Sequence, residues 1–207
     1  MEKFEVIEHT KKTDLDAGKI EIIAIEFVKP TYISGIVSGD VKKGDQVTVE
    51  NGKIIKNGIP IGDVIEQKSS DDVKLDTEHD IKYTGGYSID GKTIYLDEHF
   101  QRILTVEGKK IDATKTIGLH HELPEKWMSD NDFEYPYAHE VATGIEKKYV
   151  EYLGVTWKGY CEEVDKNLRK VYSQKLRNSP ESLDLAPYLY CRDREALKEI
   201  RESEPEK

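Results

Sequence analysis

Four ionisable residues in the C-terminal half have the types and spacing of a metal site. His121, Glu122 and Glu125 form the pattern H-E-x-x-E, and His139 follows them near the start of another predicted helix. On a helix, residues four apart share a face, so His121 and Glu125 can converge on one ion. His139 supplies a third ligand and water a fourth. Nitrogen and carboxylate-oxygen ligands in this number are typical of zinc.

Two glutamates have predicted roles at this site. Glu122 would be the general base for zinc-bound water, as the glutamate of H-E-x-x-H metallopeptidases is, although here Glu125 replaces the second histidine. Glu146, two helical turns after His139, is either an alternative metal ligand or a residue that orients a ligating imidazole. These ligands also suit manganese, iron or nickel, so the sequence does not fix the metal.

A proline within the motif restricts where its helix can begin. Pro124 would cost about 3 kcal/mol in a helix interior, so the helix is predicted from His120 to Ser129, with Pro124 at the edge of its first turn. His120 is expected to face solvent. An alternative interpretation needs no metal, because acidic residues in the first turn already suit the helix dipole. The remaining histidines, His9, His79 and His99, are predicted to lie on the surface.

Charge and hydropathy disfavour several classes of function. A net charge of -10 over 207 residues argues against electrostatic binding to nucleic acid or to an anionic membrane. No apolar run approaches the roughly 18 residues of a membrane span, and the opening MEKFEVIEHTKK lacks the core of a secretory signal. A cytoplasmic location is therefore expected. Cys161 and Cys191 are isolated and are predicted to be free, partly buried thiols.

The N-terminal third has the alternation and the turns of a small β module. Lys19 to Val28 and Tyr32 to Val37 are rich in β-branched residues and are predicted strands. Asn51-Gly52 and Asn57-Gly58 predict two type I′ hairpin turns. The expected product is a compact barrel or sandwich over residues 1–66. The polar stretch 67–80 is predicted to be a linker.

Residues 81–190 begin with hairpins and continue with helices. Asp90-Gly91 and Glu107-Gly108 predict hairpin turns. After Ala113 the apolar period changes from two to about 3.5, which indicates helix. The predicted fold class is therefore α+β, with the N-terminal β module followed by a β-hairpin and helical domain.

Two long helices are predicted in this domain. One begins at Pro136, a favoured first position, and ends at Leu153 before Gly154. Another follows Thr156 as its N-cap. Residues 191–207 are predicted to be a charged tail with one or two helical turns at most.

Residues Gly85 to Tyr188 resemble a family of uncharacterised proteins encoded by bacteriophages and prophages. The resemblance is carried by a G-G-x-S-x-D-G-x-x-x-Y-x-D hairpin, the H-E-x-x-E helix, an A-H-x-x-A-x-x-x-E helix from Ala138, and the ending Leu183 to Tyr188. It implies a zincin-like domain in which a strand before the motif helix lines a substrate cleft. Pro124 departs from the family pattern. VKKGDQVTVENGKIIKNG also loosely resembles small β-barrel modules of phage capsid-associated proteins.

Two classes of function follow from these observations. The first is a peptidase-like, metal-dependent hydrolase of phage or prophage origin, with a protein or peptide substrate along the strand from Lys92 to Leu96. The second is a noncatalytic virion or accessory protein whose β module binds capsid or other virion proteins. Either would act in the cytoplasm of the host cell or on the virion. Motifs for nucleotide hydrolysis, serine esterases and dinucleotide binding do not occur. The sequence does not fix the oligomeric state.

Overall fold

The computed structural model describes residues 2–10 and 18–203, and the chain forms two compact units that divide between Asp72 and Val73. The division falls within the predicted linker 67–80. That stretch contains the end of one strand, at Ser69, and a further strand from Lys74 to Asp76, so it is not a structureless connection. The predicted α+β class is confirmed, because a β-barrel and several helices are present.

Six antiparallel strands close into a barrel in the first unit. They are β1 (Lys3–Thr10), β2 (Lys19–Glu26), β3 (Thr31–Ser38), β4 (Gln46–Glu50), β5 (Lys53–Lys56) and β6 (Ile59–Ser69). Their order is β1-β2-β3-β6-β5-β4, with β4 paired back to β1. Both Asn-Gly pairs have positive φ at each residue, as the predicted type I′ turns require. Of the two predicted architectures, the barrel is the one that forms.

The interior of the barrel is filled by alternating apolar residues of its strands. The buried cluster consists of Phe4, Val6, Ile22, Ala24, Ile33, Val37, Val41, Val47 and Ile54. Close approach of β3 and β6 needs glycine, because a Cβ at Gly62 would lie 2.1 Å from the carbonyl oxygen of Ile36. Strand alternation and this glycine contact together account for a closed small barrel.

A three-stranded sheet and a separate hairpin open the second unit. The sheet has the order β7-β9-β8, where β7 is Lys74–Asp76, β8 is Gly85–Tyr87 and β9 is Thr93–Leu96. The hairpin joins β10 (Ile103–Val106) to β11 (Lys109–Asp112). Since β9 is paired on both sides, it has no free edge for a substrate, and the predicted placement along Lys92 to Leu96 is wrong. The strands at the edges are β7 and β8.

The motif helix starts earlier than predicted. A π-helix from Thr114 to Glu122 continues directly into α1 (Leu123–Asp130). The amide of Leu123 bonds to the carbonyl of Gly118, five residues back. These wider turns change the position of the carbonyls that a proline ring would otherwise strike, so the helix passes through Pro124 rather than beginning beside it.

Four further helices complete the second unit: α2 (Tyr135–Tyr152), α3 (Trp157–Tyr172), α4 (Ala186–Tyr190) and α5 (Arg194–Glu202). Thr156 caps α3 as predicted, since its hydroxyl accepts from the amide of Gly159 at 3.1 Å. The segment predicted as a charged tail contains α5, which buries Ala196 and Leu197 in a cluster with residues of the rest of this unit. Among the helices of the described residues, none is long and apolar enough to cross a bilayer.

Candidate metal centre

Three side chains from two helices bring ligand atoms to one point. Nε2 of His121 lies 3.2 Å from Nδ1 of His139, and the same Nδ1 lies 2.7 Å from Oε2 of Glu125. Nε2 of His121 is 3.7 Å from that carboxylate oxygen. The structure therefore brings together the three residues that the sequence predicts as metal ligands, with His121 and Glu125 one turn apart and His139 on α2.

The spacing of these atoms fits a tetrahedral ion. Zinc bonds of 2.0–2.1 Å to nitrogen and oxygen place neighbouring ligand atoms about 3.3 Å apart. The three observed separations, 3.2, 2.7 and 3.7 Å, scatter around that value. Two imidazole nitrogens and one carboxylate oxygen also form the donor set of a catalytic zinc site, which leaves a fourth position for water or substrate.

The charges around His121 favour a cation at this point. Burial opposes a charge on the ring, but hydrogen bonds with Glu125 and Glu146 and the charges of nearby carboxylates outweigh burial and raise the pKa of His121 well above its ordinary value. Burial alone would raise the pKa of Glu125, but His121 and His139 together lower it. Buried carboxylates therefore need a positive partner here, and a metal ion would take the place of the imidazole proton.

Glu146 lies behind His121 rather than in the ligand set. Its Oε2 accepts from Nδ1 of His121 at 3.0 Å, while the ligand atom Nε2 is on the other side of the ring. Its Oε1 accepts from the hydroxyl of Tyr160 at 2.6 Å, and that hydroxyl lies 2.8 Å from Oγ1 of Thr116. Of the two predicted roles, the structure favours orientation of the imidazole. This carboxylate also fixes the tautomer that leaves Nε2 available to a metal.

His120 does not face solvent as predicted. Its ring is buried and stacks on Tyr149 with centroids 3.5 Å apart, and its Nδ1 lies 2.6 Å from the carbonyl oxygen of Lys115. The sequence prediction assumed a helix that starts at this residue. Because the π-helix begins at Thr114, His120 instead occupies an interior face of an established helix.

Glu122 lies in the wall of the cavity that contains the three ligand atoms. The cavity has a volume of about 260 Å³, and its lining includes Glu122, His121, Glu125 and His139. Burial and the charge of Glu125 raise the pKa of Glu122 to about 8. A Cβ at Gly85 would lie 2.8 Å from Oε1 of Glu122. The carboxyl group of Glu122 can therefore pack against β8 because the strand begins with glycine.

Ten further residues line the cavity, four of them tyrosines, and none of the ten was predicted as a site residue. Its other lining residues are Tyr83, Thr84, Gly85, Gly86, Tyr87, Tyr135, Asp184, Pro187, Tyr188 and Cys191. Tyr87 donates to Oε1 of Glu125 at 3.0 Å, and this bond orients the carboxylate ligand. Tyr87 belongs to the hairpin motif and Tyr188 to the ending Leu183 to Tyr188, so the resemblance contained a signal for both, whereas nothing in the sequence marked Tyr135. Cys191 is exposed rather than partly buried, and Cys161 is intermediate.

A second group of side chains has metal-ligand types, but two of its three members are exposed. Ligand atoms of Asp80, Glu98 and His99 lie within 4.8 Å of one another. We assign no ion to this group. His79 is partly exposed, with a side-chain exposure of 34%, and His9 and His99 are exposed, in agreement with the surface prediction for these histidines.

Asp80 and Asp97 form a buried acid pair beside that group. Asp97 accepts from the amides of Ile81 and His99, at 2.9 and 2.8 Å, and Asp80 accepts from the amide of Arg177. Burial first, and then a hydrogen bond with Asp80, raise the pKa of Asp97 to about 7. Among residues 2–10 and 18–203, the one basic side chain within 4 Å of either carboxylate is His99. The pair is therefore stable when it shares a proton.

The proton that Asp80 and Asp97 share should make the free energy of unfolding depend on pH. Between pH 4 and 7 the folded chain holds a proton on Asp97 that the unfolded chain has released, so the free energy of unfolding falls as pH rises through that window. Solvent access beside the exposed His99 limits the total loss to the order of 2 kcal/mol. In Asp80→Asn the amide donates to Asp97 permanently, so this variant should exceed wild-type stability at pH 8 and match it near pH 5.

Urea unfolding at the two pH values checks this prediction. Both tryptophans, Trp127 and Trp157, lie in the second unit, so their fluorescence follows that unit. Asp165→Asn, at an exposed position on α3, is the matched control and should keep the wild-type dependence on pH. Equal pH dependence of wild type and Asp80→Asn would contradict the shared proton.

Comparisons of the chain with protein-family models, with curated proteins and with solved structures each gave no match.

Proposed function

We propose that this protein is a metal-dependent hydrolase that cleaves peptide bonds, with zinc held by His121, Glu125 and His139. The observation that carries the proposal is the convergence of three ligand atoms, 2.7 to 3.7 Å apart, in a cavity whose wall also contains the carboxyl group of Glu122. Metal ligands alone would fit a structural site. A second carboxyl group beside that of Glu125 and an open cavity are features of catalytic sites.

Each residue has a chemical role in this proposal. A bound zinc ion would polarise the scissile carbonyl and lower the pKa of a coordinated water. The positive charge of a bound zinc ion would offset the effects of burial and Glu125 and favour the ionised form of Glu122. In that form Glu122 takes up the proton of the attacking water and passes it to the leaving amine. Glu146 holds the ring of His121, and Tyr87 holds the carboxylate of Glu125, so the ligand atoms remain in place through the reaction.

A peptide substrate is favoured by the free edge of β8. The amide of Ser88 donates to the carbonyl of Thr93 in β9, and the carbonyl of Thr84 accepts from the amide of Asp97 just after β9. In this antiparallel pair the backbone groups of Gly85 and Tyr87 therefore point away from β9. Gly85 lines the cavity, and its amide and carbonyl are placed to bond an extended chain that lies over Glu122. This arrangement also supports the zincin-like interpretation, with β8 rather than β9 as the strand beside the substrate.

Metal content and peptide cleavage test the proposal together. Purified protein, dialysed against metal-free buffer and resupplied with zinc, should retain about one zinc ion per chain by atomic emission and should cleave a mixture of unstructured peptides. A chelator should abolish cleavage, and added zinc should restore it. Bound zinc with no cleavage would instead support a structural metal in a noncatalytic virion or accessory protein. Protein that binds none of zinc, manganese, iron and nickel would end both the hydrolase and the metal site.

A further inference from the structure

One end of the β8 edge is already occupied by the protein's own chain. The amide of Asp184 donates to the carbonyl of Tyr87 at 2.8 Å, and the amide of Ile89 donates to the carbonyl of Ser182 at 2.9 Å. Ser88 and Leu183 form an antiparallel bridge between them. The segment Ser182–Asp184 therefore lies where an extended substrate would have to continue past Tyr87. Only the Gly85 end of the edge is available.

This closing segment is firmly held. Leu183 is buried at 3% exposure, and its Cδ1 would lie 3.0 Å from a Cβ at Gly86. The closing segment and β8 are therefore in close contact. The hydroxyls of Ser182 and Tyr95 are 2.6 Å apart. Asp184 accepts from Nζ of Lys126 at 3.1 Å, which ties the segment to the motif helix. An incoming peptide is therefore not expected to displace the segment.

The closed end determines which end of a substrate fits. A peptide antiparallel to β8 runs from the Tyr87 end toward the Gly85 end, in the same direction as Ser182–Asp184. Its first residue would follow Asp184 along the edge, and no residue could precede it. The carboxyl-terminal part of the peptide would leave through the open end beside Gly85.

The charges of the cavity also favour binding of the amino end of a peptide. Within the described residues, 2–10 and 18–203, no lysine or arginine lines the cavity to bind a terminal carboxylate, whereas Glu122, Glu125 and Asp184 do line it. At the closed end, Asp184 lies in the wall of the cavity, whereas Lys126, which donates to it at 3.1 Å, does not line the cavity. Carboxylates in the wall suit an α-ammonium group.

We propose that the enzyme removes residues from the free amino end of peptides, with Asp184 closing the cleft and recognising the α-ammonium group. This inference rests on the proposed hydrolase function and adds its substrate class. The bond broken is the first peptide bond of the substrate, and water supplies the hydroxyl to the released amino acid and the proton to the new amino end.

Matched hexapeptides on the zinc-loaded full chain test this inference. One peptide has a free amino end, a second is the same peptide acetylated at that end, and a third has a free amino end and an amidated carboxyl end. Mass spectrometry of the products should show stepwise loss of amino-terminal residues from the first and third at similar rates. Acetylation should lower kcat/KM at least about 100-fold, because a desolvated polar site is then left unmatched.

Two aspartate variants separate recognition from general damage. Asp184→Asn keeps an oxygen for the amide of Ala186 but loses the charge, and it should reduce the preference for the free over the acetylated peptide at least about tenfold, mainly through KM. Asp130 also pairs with Lys126 but does not line the cavity, so Asp130→Asn should keep the wild-type preference for the free over the acetylated peptide. The wild-type comparison stands even where Asp184→Asn fails to fold.

The outcomes distinguish this inference from the function on which it rests. Internal cleavage of the free and the acetylated peptide at equal rates would overturn the amino-end preference and leave the hydrolase intact. Release of carboxyl-terminal residues would overturn it as well. Absence of cleavage in every peptide, with zinc bound, would overturn the hydrolase and this inference together.

Discussion

Replacing Glu122 with glutamine should lower kcat for peptide cleavage by about 10²- to 10⁴-fold, the usual contribution of a general base. The amide cannot take up a proton, but it matches the carboxylate in shape and fits beside Gly85. Zinc content should stay at the wild-type level, because the three ligand atoms belong to His121, Glu125 and His139. KM should change little, since the lost interaction is made in the transition state.

A stability measurement distinguishes loss of catalysis in Glu122→Gln from loss of the folded structure. Glu122 is 8% exposed, and burial together with Glu125 disfavours its charge, so the glutamine variant without metal should be at least as stable as wild type. Glu140→Gln is the matched control, because Glu140 is exposed on α2 next to His139, and its activity should be unchanged. Full activity in Glu122→Gln would remove this residue from the mechanism and require another base.

The ligand set was predictable because it depends on short-range geometry. Helical periodicity alone places Glu125 one turn after His121, and the turn chemistry of Asn51-Gly52 and Asn57-Gly58 fixes two reversals of the barrel. His139 was a weaker inference, because its convergence with His121 depends on how α2 packs. In each of these cases the physical cause lies within a few residues of the feature, or in one packing contact.

The features that were missed depend on long-range contacts. The π-helix that accommodates Pro124 also buries His120, and no local propensity indicates such a helix. The loss of a free edge on β9 depends on the parallel pairing of β7 with β9, and β7 lies in a stretch whose polarity indicated a linker. In α5 the apolar side chains are too few to stand out among charged neighbours, although Ala196 and Leu197 are buried.

Contacts between distant segments also explain the unpredicted parts of the site. Tyr160 reaches Glu146 from α3, and Ser182–Asp184 reaches β8 from a segment that precedes α4. Neither contact leaves a spacing pattern in the chain. The ligands of this site are therefore encoded locally, whereas the groups that orient them and limit access to them are set by the tertiary fold.

Replacing His121 with alanine should have the largest effect on metal binding. This side chain supplies Nε2 to the ligand cluster and also connects the cluster to Glu146 through Nδ1, so the variant loses a ligand and its support together. Glu146→Gln keeps the ligand but cannot accept from both His121 and Tyr160. It should raise the Kd for zinc by about 10- to 100-fold, the range for groups that orient a metal ligand, and His121→Ala should exceed that range.

Competition titrations with a zinc-binding dye can rank these variants by their Kd for zinc. The expected Kd values rise from wild type to Glu146→Gln to His121→Ala, with peptide cleavage lost in the last. His9→Ala is the control, because it removes an exposed histidine from the barrel unit and should bind zinc as wild type does. If His121→Ala kept wild-type affinity, the ion would have to lie elsewhere. If instead Glu146→Gln lost zinc as completely as His121→Ala, Glu146 would itself be a ligand, and the predicted alternative would replace its orienting role.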